Sequence, residues 1–496
     1  MVELPNEIYT SVQVRGLDRV AIEEFAIPGY ELMCRAGEAA LDCLRGRWPA
    51  ARELTIVCGS GNNAGDGYVV ARLAIRNGFS VRVLSLVPGE RLGGDALRAY
   101  RDFEAAGGTA RPCDGDSGMA LSGDIIVDAL LGTGLDRPLE GRFADAVAAI
   151  NAAGVPVLAL DIPSGLHADT GLPLGRAVRA TATITFVGLK LGLFLGRGID
   201  YRGTLEFAGL GVPAQAYAAV AAPLQRLDRR CIRRALQPRQ RSAHKGSHGS
   251  LLLIGGAPGM SGAIRLAAEA ALRAGAGLVR VATHPDSVAT VTAGRPEIMC
   301  HAVTAPGELV GLIAVSDSLV IGPGLGRSEW ARQLWDAGLD AGLPVVLDAD
   351  GLNLLAAAPE RRANWILTPH PGEAGRLLGV DAAAIQTDRL AAVQELARRY
   401  DGIAVLKGAG SLIAGRSDGA VSLCDRGNPG MATAGMGDVL AGVLGALLAQ
   451  RAEPRLAADA GVYLHARAGD DAAEAGERGL LAGDLVPLIR RWVNPV

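Results

Sequence analysis

Short runs of consecutive apolar residues alternate with Ala-rich segments along the chain. The runs in the first half occupy residues 54–58, 81–87, 124–128 and 155–161, and those in the second half occupy 251–254, 277–282, 318–321, 344–347, 365–367 and 403–406. Each run is followed by a Gly or Asp turn and then by a stretch with helical periodicity. Apolar residues at successive positions indicate strands that are buried on both faces. The pattern predicts an α/β protein with two doubly wound parallel sheets.

A change in composition separates the two series of strands. Residues 212–237 are rich in Ala, Pro and Gln and become basic towards their end, which is typical of a helical connector. A chain of 496 residues also exceeds the size of one ordinary hydrophobic core. We therefore predict two domains, residues 1–225 and 226–496.

Charge and cysteine content narrow the class of protein. Forty-nine basic and 52 acidic residues give a formal charge of -3, which offers no broad field for nucleic acid or anionic membranes. The seven cysteines form no CxxC pair, and acidic residues occupy the start of the chain where a signal peptide is basic and then apolar. We expect a soluble cytoplasmic protein with no nucleic-acid or membrane partner, and we predict a homo-oligomer.

The clearest motif of the first half is GSGNNAGDG, residues 59–67, between the strand at 54–58 and a helical run at 68–76. Glycines in this position can form a simple tight turn, or they can let the backbone approach phosphate oxygens. Asn62, Asn63 and Asp66 add amide and carboxylate groups that turning does not require. The motif therefore favours a ligand site, and its spacing differs from the usual GxGxxG fingerprint.

Two further strand ends carry polar residues. Asp128 ends one strand and precedes the loop GTGLDRP at 132–138, while Asp161 ends the next strand in DIPSGL, which includes Ser164. A single Asp in such a place is often a helix cap. Three successive strand ends with polar side chains favour one shared ligand site at this edge of the sheet.

The strongest motif of the second half is NPGMATAGMGDVLAG, residues 428–442. Gly435, Gly437 and Asp438 directly precede a predicted helix at 439–448, so backbone amides could hold an anion beside a carboxylate base. This combination is typical of phosphoryl transfer. The alternative is a glycine turn with Asp438 as the N-cap, which leaves the glycine pattern unexplained.

Other strand ends of the second half supply groups that phosphoryl transfer needs. KGAGS at 407–411 could contact nucleotide phosphates, and TPHPGE at 368–373 offers His370 to a substrate and Glu373 to a magnesium ion. GPGLG at 322–326 and GGAPGMSGA at 255–263 are further flexible turns. DADGLN at 348–353 either contributes side chains to this site or only caps a helix.

The first half resembles the epimerase domain of the bifunctional NAD(P)H-hydrate repair enzymes through NNAGDG, the Asp128 strand with its loop, and DIPSG. The resemblance covers about residues 5 to 215 and implies a Rossmann-like three-layer domain. It implies that the hydrated dinucleotide contacts Asn62, Asn63, Ala64, Gly65, Asp66, Gly132, Thr133, Gly134, Leu135, Asp136, Arg137, Pro138 and Asp161. It also implies a potassium ion held by Asn63, Asp128 and Ser164, and an all-oxygen set suits this cation.

The second half resembles the dehydratase domain of the same enzymes, which has a ribokinase-like three-layer α/β/α fold, over about residues 230 to 494. HKGSHG at 244–249, GPGLG, TPHPGE, KGAGS and NPGMATAGMGD carry this resemblance. It implies that the hydrate contacts Ala263, Gly324, Gly326, His370 and Asp438. It implies that ADP with magnesium contacts Lys407, Gly408, Ala409, Gly410, Ser411 and Gly437.

The resemblance implies a metabolite-repair enzyme that acts on NADHX and NADPHX. Epimerisation at a hemiaminal carbon needs proton transfer, for which Asp161 is the candidate, and Asp438 is the candidate base for phosphorylating the hydroxyl of the S hydrate. ADP would then yield AMP and phosphate. The alternative is a kinase for a small alcohol, similar to a thiamin-precursor kinase, fused to a noncatalytic nucleotide-binding domain.

Overall fold

The computed structural model describes residues 4–113, 121–222, 224–416 and 419–494. It divides into two compact units, residues 1–224 and 225–496. Each unit is built around its own series of parallel strands.

The described residues of the first unit form nine strands. They are β1 Glu7–Tyr9, β2 Glu53–Cys58, β3 Ser80–Ser85, β4 Ala110–Pro112, β5 Ile125–Ala129, β6 Val157–Leu160, β7 Ala182–Phe186, β8 Leu189–Lys190 and β9 Thr204–Ala208. Seven of them form a parallel sheet in the order β4-β3-β2-β5-β6-β7-β9. The direction of chain progression reverses between β2 and β5, and such a reversal opens a crevice at the carboxyl ends of the strands.

Helices cover both faces of this sheet. They are α1 Ser11–Glu23, α2 Gly29–Arg47, α3 Asn62–Arg76, α4 Gly94–Ala105, α5 Gly141–Ala152, α6 Gly198–Arg202 and α7 Ala214–Ala219. Ile56 packs in the core cluster of α2, α3 and α4, while its neighbour Val57 packs in the cluster of α5. Successive side chains of a strand point to opposite faces, so Ile56, Val57 and Cys58 are all buried because both faces of the sheet are covered.

The second unit has a mixed sheet. Its strands are β11 Ser250–Ile254, β12 Leu278–Thr283, β13 Met299–Ala302, β14 Ser318–Ile321, β15 Val345–Leu347, β16 Trp365–Leu367, β17 Ile403–Leu406, β18 Ser411–Ala414 and β19 Val421–Cys424, and a further strand, β10 Leu224–Arg226, spans the division between the units. The order is β13-β12-β11-β14-β15-β16-β17-β18-β19. The strands are parallel as far as β17, and the last two pairings are antiparallel.

A nearly fully buried helix lies at the centre of the second unit. The helices are α8 Arg230–Ala235, α9 Ser261–Arg273, α10 Val288–Thr292, α11 Val310–Ile313, α12 Glu329–Asp340, α13 Asp350–Ala357, α14 Pro371–Leu378, α15 Ala382–Thr387, α16 Arg389–Tyr400, α17 Met436–Ala449, α18 Pro454–Ala472 and α19 Ala482–Trp492. Helix α17 packs against α9, and a Cβ added at Gly442 would lie only 2.0 Å from the carbonyl oxygen of Ala267. Glycine therefore permits the close approach of these two helices.

The predicted α/β class and both series of parallel strands agree with the structure. The antiparallel strands β18 and β19 were not predicted, and the proposed helical connector contains a strand, β10, as well as helices α7 and α8. Within the described ranges, no helix combines the length and apolar character that crossing a membrane requires.

Candidate active sites

A cavity of about 600 Å³ lies at the carboxyl ends of β2, β5 and β6. Its lining includes ten of the residues that the sequence singled out, namely Asn62, Asn63, Asp66, Gly132, Thr133, Gly134, Leu135, Asp136, Arg137 and Asp161. Ala64, Gly65 and Pro138 are not part of the lining. Most of the predicted first site is therefore gathered around one cavity.

The polar motif after β2 lies in a helix rather than in a turn. Helix α3 begins at Asn62, with Gly61 as its N-cap at a φ of 92°, and no side chain caps it. The amides at this helix start are available to an anion. Gly65 is needed for packing, because a Cβ there would lie 2.6 Å from the Met33 sulfur.

Asn63, Asp128 and Ser164 are connected through the backbone of Leu131. Asn63 Nδ2 donates to the Leu131 carbonyl at 2.9 Å, and the Leu131 amide donates to Ser164 Oγ at 2.9 Å. Ser164 Oγ and its amide donate to the two Asp128 oxygens at 2.6 and 2.8 Å. The Asn63 Oδ1 atom is buried and has no hydrogen-bond partner among the described residues. Asn63, Asp128 and Ser164 therefore form one hydrogen-bonded group that is rich in oxygen atoms.

Burial governs the charge of Asp128. The side chain is fully buried, and burial raises its pKa to about 6, although hydrogen bonds from Ser164 and Leu130 oppose the rise. A cation beside Asp128 would favour its ionised form.

Asp161 is held by a lysine that the sequence analysis missed. It follows β6 with a φ of 66°, and its Oδ1 accepts hydrogen bonds from Lys190 Nζ and from the Phe186 amide. Lys190 is 1% exposed, and it also donates to Thr185 Oγ1 and the Phe186 carbonyl. The ion pair fixes the orientation of the Asp161 carboxylate in the cavity wall.

The carboxyl groups of Asp18, Asp66, Asp95 and Asp136 line the same cavity. Asp18 lies on α1 and Asp66 on α3, and neither carboxyl receives a hydrogen bond or forms an ion pair within the described part of the chain. Burial raises the pKa of Asp18 to about 6, and the charge of Asp161 adds to the rise while Lys190 opposes it. Burial, followed by the charges of Asp161 and Asp18, raises the pKa of Asp66 well above its usual value.

The second site is organised around Lys407. Its Nζ lies 2.7 Å from Asp348 Oδ1 and 3.7 Å from Glu373 Oε2. Thr368 Oγ1 donates to the same Asp348 oxygen at 2.7 Å. Burial lowers the pKa of Lys407, but the carboxylates of Asp348 and Glu373 outweigh it and raise the pKa above its usual value. The lysine therefore stays charged at the meeting point of three strand ends.

Asp438 lies beside this cluster, in the first turn of α17. The helix begins at Met436, so Gly437 and Asp438 are within it, and Gly435 is the N-cap at a φ of 89°. A Cβ added at Gly437 would lie 3.2 Å from both Lys407 Nζ and Asp348 Oδ2. Burial raises the pKa of Asp438 to about 7, and the charge of Asp348 contributes further.

His370 and Glu373 form the cap of α14. His370 Nδ1 accepts from the Gly372 amide at 2.9 Å, and Glu373 Oε2 accepts from the His370 amide at 2.8 Å. The His370 side chain is 52% exposed, so its ring remains accessible to a ligand. Burial lowers the pKa of His370, and Lys407 also lowers it against an opposing effect of Glu373.

The remaining predicted hydrate contacts lie together around Met260. A Cβ at Gly324 would lie 3.3 Å from Ala263 Cβ, and one at Gly326 would lie 3.4 Å from Met260 Cε. The Gly326 amide donates to Asp350 Oδ2 at 2.9 Å, and the charge of Asp350 contributes to the raised pKa of Asp438. These contacts connect the glycine turn after β14 to the cluster around Lys407.

Residues 407–411 connect β17 to the antiparallel strand β18. Ser411 is the first residue of β18, and its hydroxyl donates to the Gly408 carbonyl at 3.1 Å. Arg389, which is 2% exposed, donates from Nη2 to the carbonyls of Lys407 and Gly410 at 3.3 and 3.2 Å. The buried guanidinium of Arg389 therefore holds the loop 407–411 in place through its backbone carbonyls.

Sequence reasoning missed Asp18, Lys190, Leu131 and Arg389. One signal was present for Lys190, which is a single charge within the apolar run at 185–195, because a charged residue is rarely buried without a partner. Asp18 and Arg389 lie in ordinary amphipathic helices, and no pattern distinguishes them.

Comparison with known proteins defines the fold class of the second unit and the protein families that match each half of the chain. The second unit is similar to a ribokinase-like superfamily protein from Enterococcus faecalis, with 28% identity and a TM-score of 0.50, over 55% of this chain and 96% of that chain. The family model described as NAD(P)H-hydrate dehydratase matches residues 251–491, and the model described as YjeF-related protein N-terminus matches residues 29–192. The second unit therefore has the predicted ribokinase-like fold.

Relatives along the full length define the family. The chain is 49% identical to a bifunctional NAD(P)H-hydrate repair enzyme from Coxiella burnetii, over 98% of this chain and 99% of the relative. It is 44% identical to the corresponding enzyme of Escherichia coli, over 100% of this chain and 95% of the relative. The chain belongs to the family of bifunctional NAD(P)H-hydrate repair enzymes. The function expected from the sequence, epimerisation and nucleotide-dependent dehydration of NAD(P)H hydrates, is confirmed at this level.

Proposed function

We propose that the cavity of the first unit interconverts the R and S hydrates of NADH and NADPH, and that the Lys407 cluster dehydrates the S hydrate with ADP. The observation that carries the proposal is the presence of two separate groups of polar residues at strand ends. One contains Asp161 with Lys190, and the other contains Asp438 beside Lys407. Each combines a carboxylate suited to proton transfer with a helix start suited to phosphate.

In the first unit, the dinucleotide lies along the cavity with its phosphates near the start of α3. The free amides of that helix and the loop 132–138 contact the phosphates, with Arg137 as the basic group. Asp161 faces the hydrated ring and transfers a proton at the hemiaminal hydroxyl. Lys190 keeps the carboxylate oriented.

A potassium ion fits the group of Asn63, Asp128 and Ser164. The unpartnered Asn63 Oδ1, the Leu131 carbonyl, the Ser164 hydroxyl and the Asp128 carboxylate supply oxygen donors of the kind that a hard cation of low charge prefers. When bound, the ion would neutralise Asp128 and fix the start of α3 against the loop after β5.

In the second unit, Asp438 takes the proton of the C6 hydroxyl while the hydroxyl oxygen attacks the β-phosphorus of ADP. The bond between that phosphorus and the bridging oxygen breaks, and AMP leaves. The C6–O bond of the phosphorylated hydrate then breaks with departure of phosphate, and loss of a proton from C5 forms the C5–C6 double bond. The products are NAD(P)H, AMP, phosphate and a proton.

Magnesium fits the charge distribution around Lys407. Asp348, Glu373 and Asp438 outnumber the single ammonium, and carboxylate oxygens are preferred ligands of this ion. We propose Glu373 as a ligand, with Lys407, the turn at 408–411 and Gly437 holding the nucleotide. The ion would neutralise phosphate charge, and Ala263, Gly324, Gly326 and His370 would contact the hydrate.

One experiment tests both activities. A mixture of R and S hydrates is incubated with the protein, alone and with ADP and magnesium, and both epimers, NAD(P)H and AMP are followed by chromatography. We expect accelerated exchange of epimers without nucleotide and complete conversion to NAD(P)H with it. A stable phosphorylated product formed from ATP and a small alcohol, without repair, would instead support the kinase alternative.

We further propose a cytoplasmic location and a homo-oligomeric state. Cys58 and Cys424 are buried thiols rather than halves of disulfides, which suits a reducing compartment. Size-exclusion chromatography with light scattering tests the number of subunits.

A further inference from the structure

Helix α1 presents one face to the cavity of the first unit. Arg15, Asp18 and Ile22 of this helix all line the cavity, and their spacing places them on one side of an α-helix. The adjoining side of the helix contributes Leu17 and Ala21 to the core. Asp18 is therefore held in position by a packed helix and faces the same cavity as Asp161.

The two carboxyl groups differ in their surroundings. Asp161 accepts hydrogen bonds from Lys190 Nζ, Thr185 Oγ1 and the Phe186 amide. Asp18 receives none in the described part of the chain and forms no ion pair there. Asp66, Asp95 and Asp136 also line the cavity. A difference in surroundings between two carboxyl groups of one cavity, such as that between Asp161 and Asp18, is how proteins assign a base and an acid.

Building on the proposed epimerase function, we propose that Asp18 is a second catalytic residue, which protonates the hydroxyl that leaves C6 of the hydrate. Asp161 then accepts the proton of the water that enters from the other face. The assignment gives the two carboxyl groups separate roles, one at the oxygen that leaves and one at the water that enters.

The nitrogen lone pair of the ring forms a C6=N1 bond as the C6–O bond breaks, and the oxygen leaves as water with the proton of Asp18. A second water attacks the planar C6 from the opposite face and gives its proton to Asp161, and the C6=N1 electron pair returns to the nitrogen. The product is the other epimer, and solvent exchange restores the two carboxyl groups.

The charges around Asp18 agree with this role. The charged residues that share the cavity with it are Lys190, Arg137, Asp66, Asp95, Asp136 and Asp161. Arg15 is on its own helix, and Tyr217 lies near enough for Asp18 to raise the pKa of the phenol. Burial raises the pKa of Asp18 to about 6, with Asp161 adding to the rise and Lys190 opposing it. A substantial protonated fraction is therefore present in weakly acidic solution.

The test uses the full chain, a purified epimer and no nucleotide, with spontaneous exchange subtracted. Asp18→Asn is compared with Asp18→Glu, Asp161→Asn and Asp42→Asn, the last of which removes an exposed carboxylate of α2. We expect Asp18→Asn to lower kcat for exchange by about 100-fold or more with little change in KM, Asp18→Glu to restore part of it, and Asp42→Asn to have no effect. The wild-type rate should fall as pH rises above about 6, and Asp18→Asn should lose this decrease.

The same reaction in ¹⁸O-labelled water tests the chemistry independently. Each inversion by the proposed route places one labelled oxygen on C6, whereas inversion by ring opening and closure retains the original oxygen. Retained oxygen, or a wild-type rate in Asp18→Asn, would overturn the inference. If Asp18→Asn also loses ADP-dependent dehydration, the fold of this variant is impaired. The exchange rate of Asp18→Glu and the labelling result then decide whether Asp18 is catalytic. Absence of exchange in the wild-type protein would instead reject the proposed epimerase function.

Discussion

Lys407 Nζ donates to Asp348 Oδ1 at 2.7 Å, and this ion pair joins the ends of β17 and β15. Thr368, at the end of the intervening strand β16, donates to the same oxygen. Three adjacent parallel strands therefore end at one fixed negative group, and the ammonium of Lys407 is oriented by it. We infer that the nucleotide meets a lysine whose position is set before binding.

Replacing Lys407 by Met is expected to abolish most ADP-dependent dehydration and to leave epimerisation unchanged. Asp348 would then be a buried carboxylate without its cation, and breaking such a pair costs about 3 kcal/mol of folding stability. Urea unfolding and initial rates against ADP concentration measure both effects. The double variant Lys407→Met/Asp348→Asn should regain part of the lost stability, because it contains no unpaired buried carboxylate at position 348. If the losses of unfolding free energy in the two single variants simply added in the double variant, Lys407 and Asp348 would not be coupled.

Asp438 is expected to control the pH dependence of dehydration. Its pKa is raised to about 7 by burial and by Asp348, so much of it is protonated near neutral pH and the proton-accepting form increases as pH rises. The rate of dehydration should therefore rise through pH 7 and level off above it. Asp438→Asn should lower kcat by about 100-fold or more and remove this rise, while epimerisation persists.

The matched control is Asp340→Asn, which removes an exposed carboxylate of α12 whose side chain is 82% exposed. It should retain both the rate and the pH profile of the parent. A flat wild-type profile between pH 6 and pH 8 would contradict the assignment of Asp438 as the base.

The sequence predicts the strand ends well because most residues of the parallel strands are apolar and polar residues follow where the strands end. Asp128 and Asp161 were found in this way, whereas Asp438 was found from the glycine motif before a helix, and each lies beside other predicted residues. The starts of α3 and α17 were predicted too far along the chain. The first turns of both helices contain glycine, which lowers helical propensity, so the sequence pattern did not indicate a helix there. The polar motifs were therefore interpreted as turns.

The partners of the predicted residues were harder to find. Lys190 and Arg389 act through long-range contacts, since Lys190 lies 29 residues from Asp161 and Arg389 lies 21 residues from Gly410. Leu131 contributes only backbone atoms, which carry no residue signature. Such roles depend on the tertiary fold, and residue type alone does not reveal them.

Epimerisation is expected to require potassium, whereas this dependence should be lost or weakened in Asn63→Leu. The variant keeps the size of the side chain but removes the buried Oδ1 that has no partner among the described residues. Epimer exchange measured with potassium replaced by tetramethylammonium should fall strongly in the wild-type protein. Asn77→Leu, at the far end of α3, is the control and should respond to potassium as the parent does. Equal exchange rates in both salts would reject the cation site.

Arg389 is expected to determine nucleotide affinity without touching the nucleotide. Its Nη2 donates to the carbonyls of Leu406, Lys407 and Gly410, and its guanidinium has no carboxylate partner in the described structure. Burial lowers its pKa to about 10, so the residue remains charged, and its hydrogen bonds to the loop carbonyls and to Gln386 Oε1 offset the cost of burying that charge. Arg389→Met would leave these carbonyls unsatisfied and release the loop that follows β17, which should lower stability by about 2 kcal/mol.

The predicted signature is a rise in KM for ADP of about tenfold, equivalent to about 1.4 kcal/mol, with a smaller change in kcat and no change in epimerisation. Arg389→Lys should recover little of the affinity, because one ammonium cannot reproduce the planar donors of the guanidinium. Arg332→Met, which removes an exposed arginine of α12, serves as the control for loss of charge. If Arg389→Met lowered kcat while leaving KM unchanged, Arg389 would affect the chemical step instead, and its role in holding the nucleotide loop would be wrong.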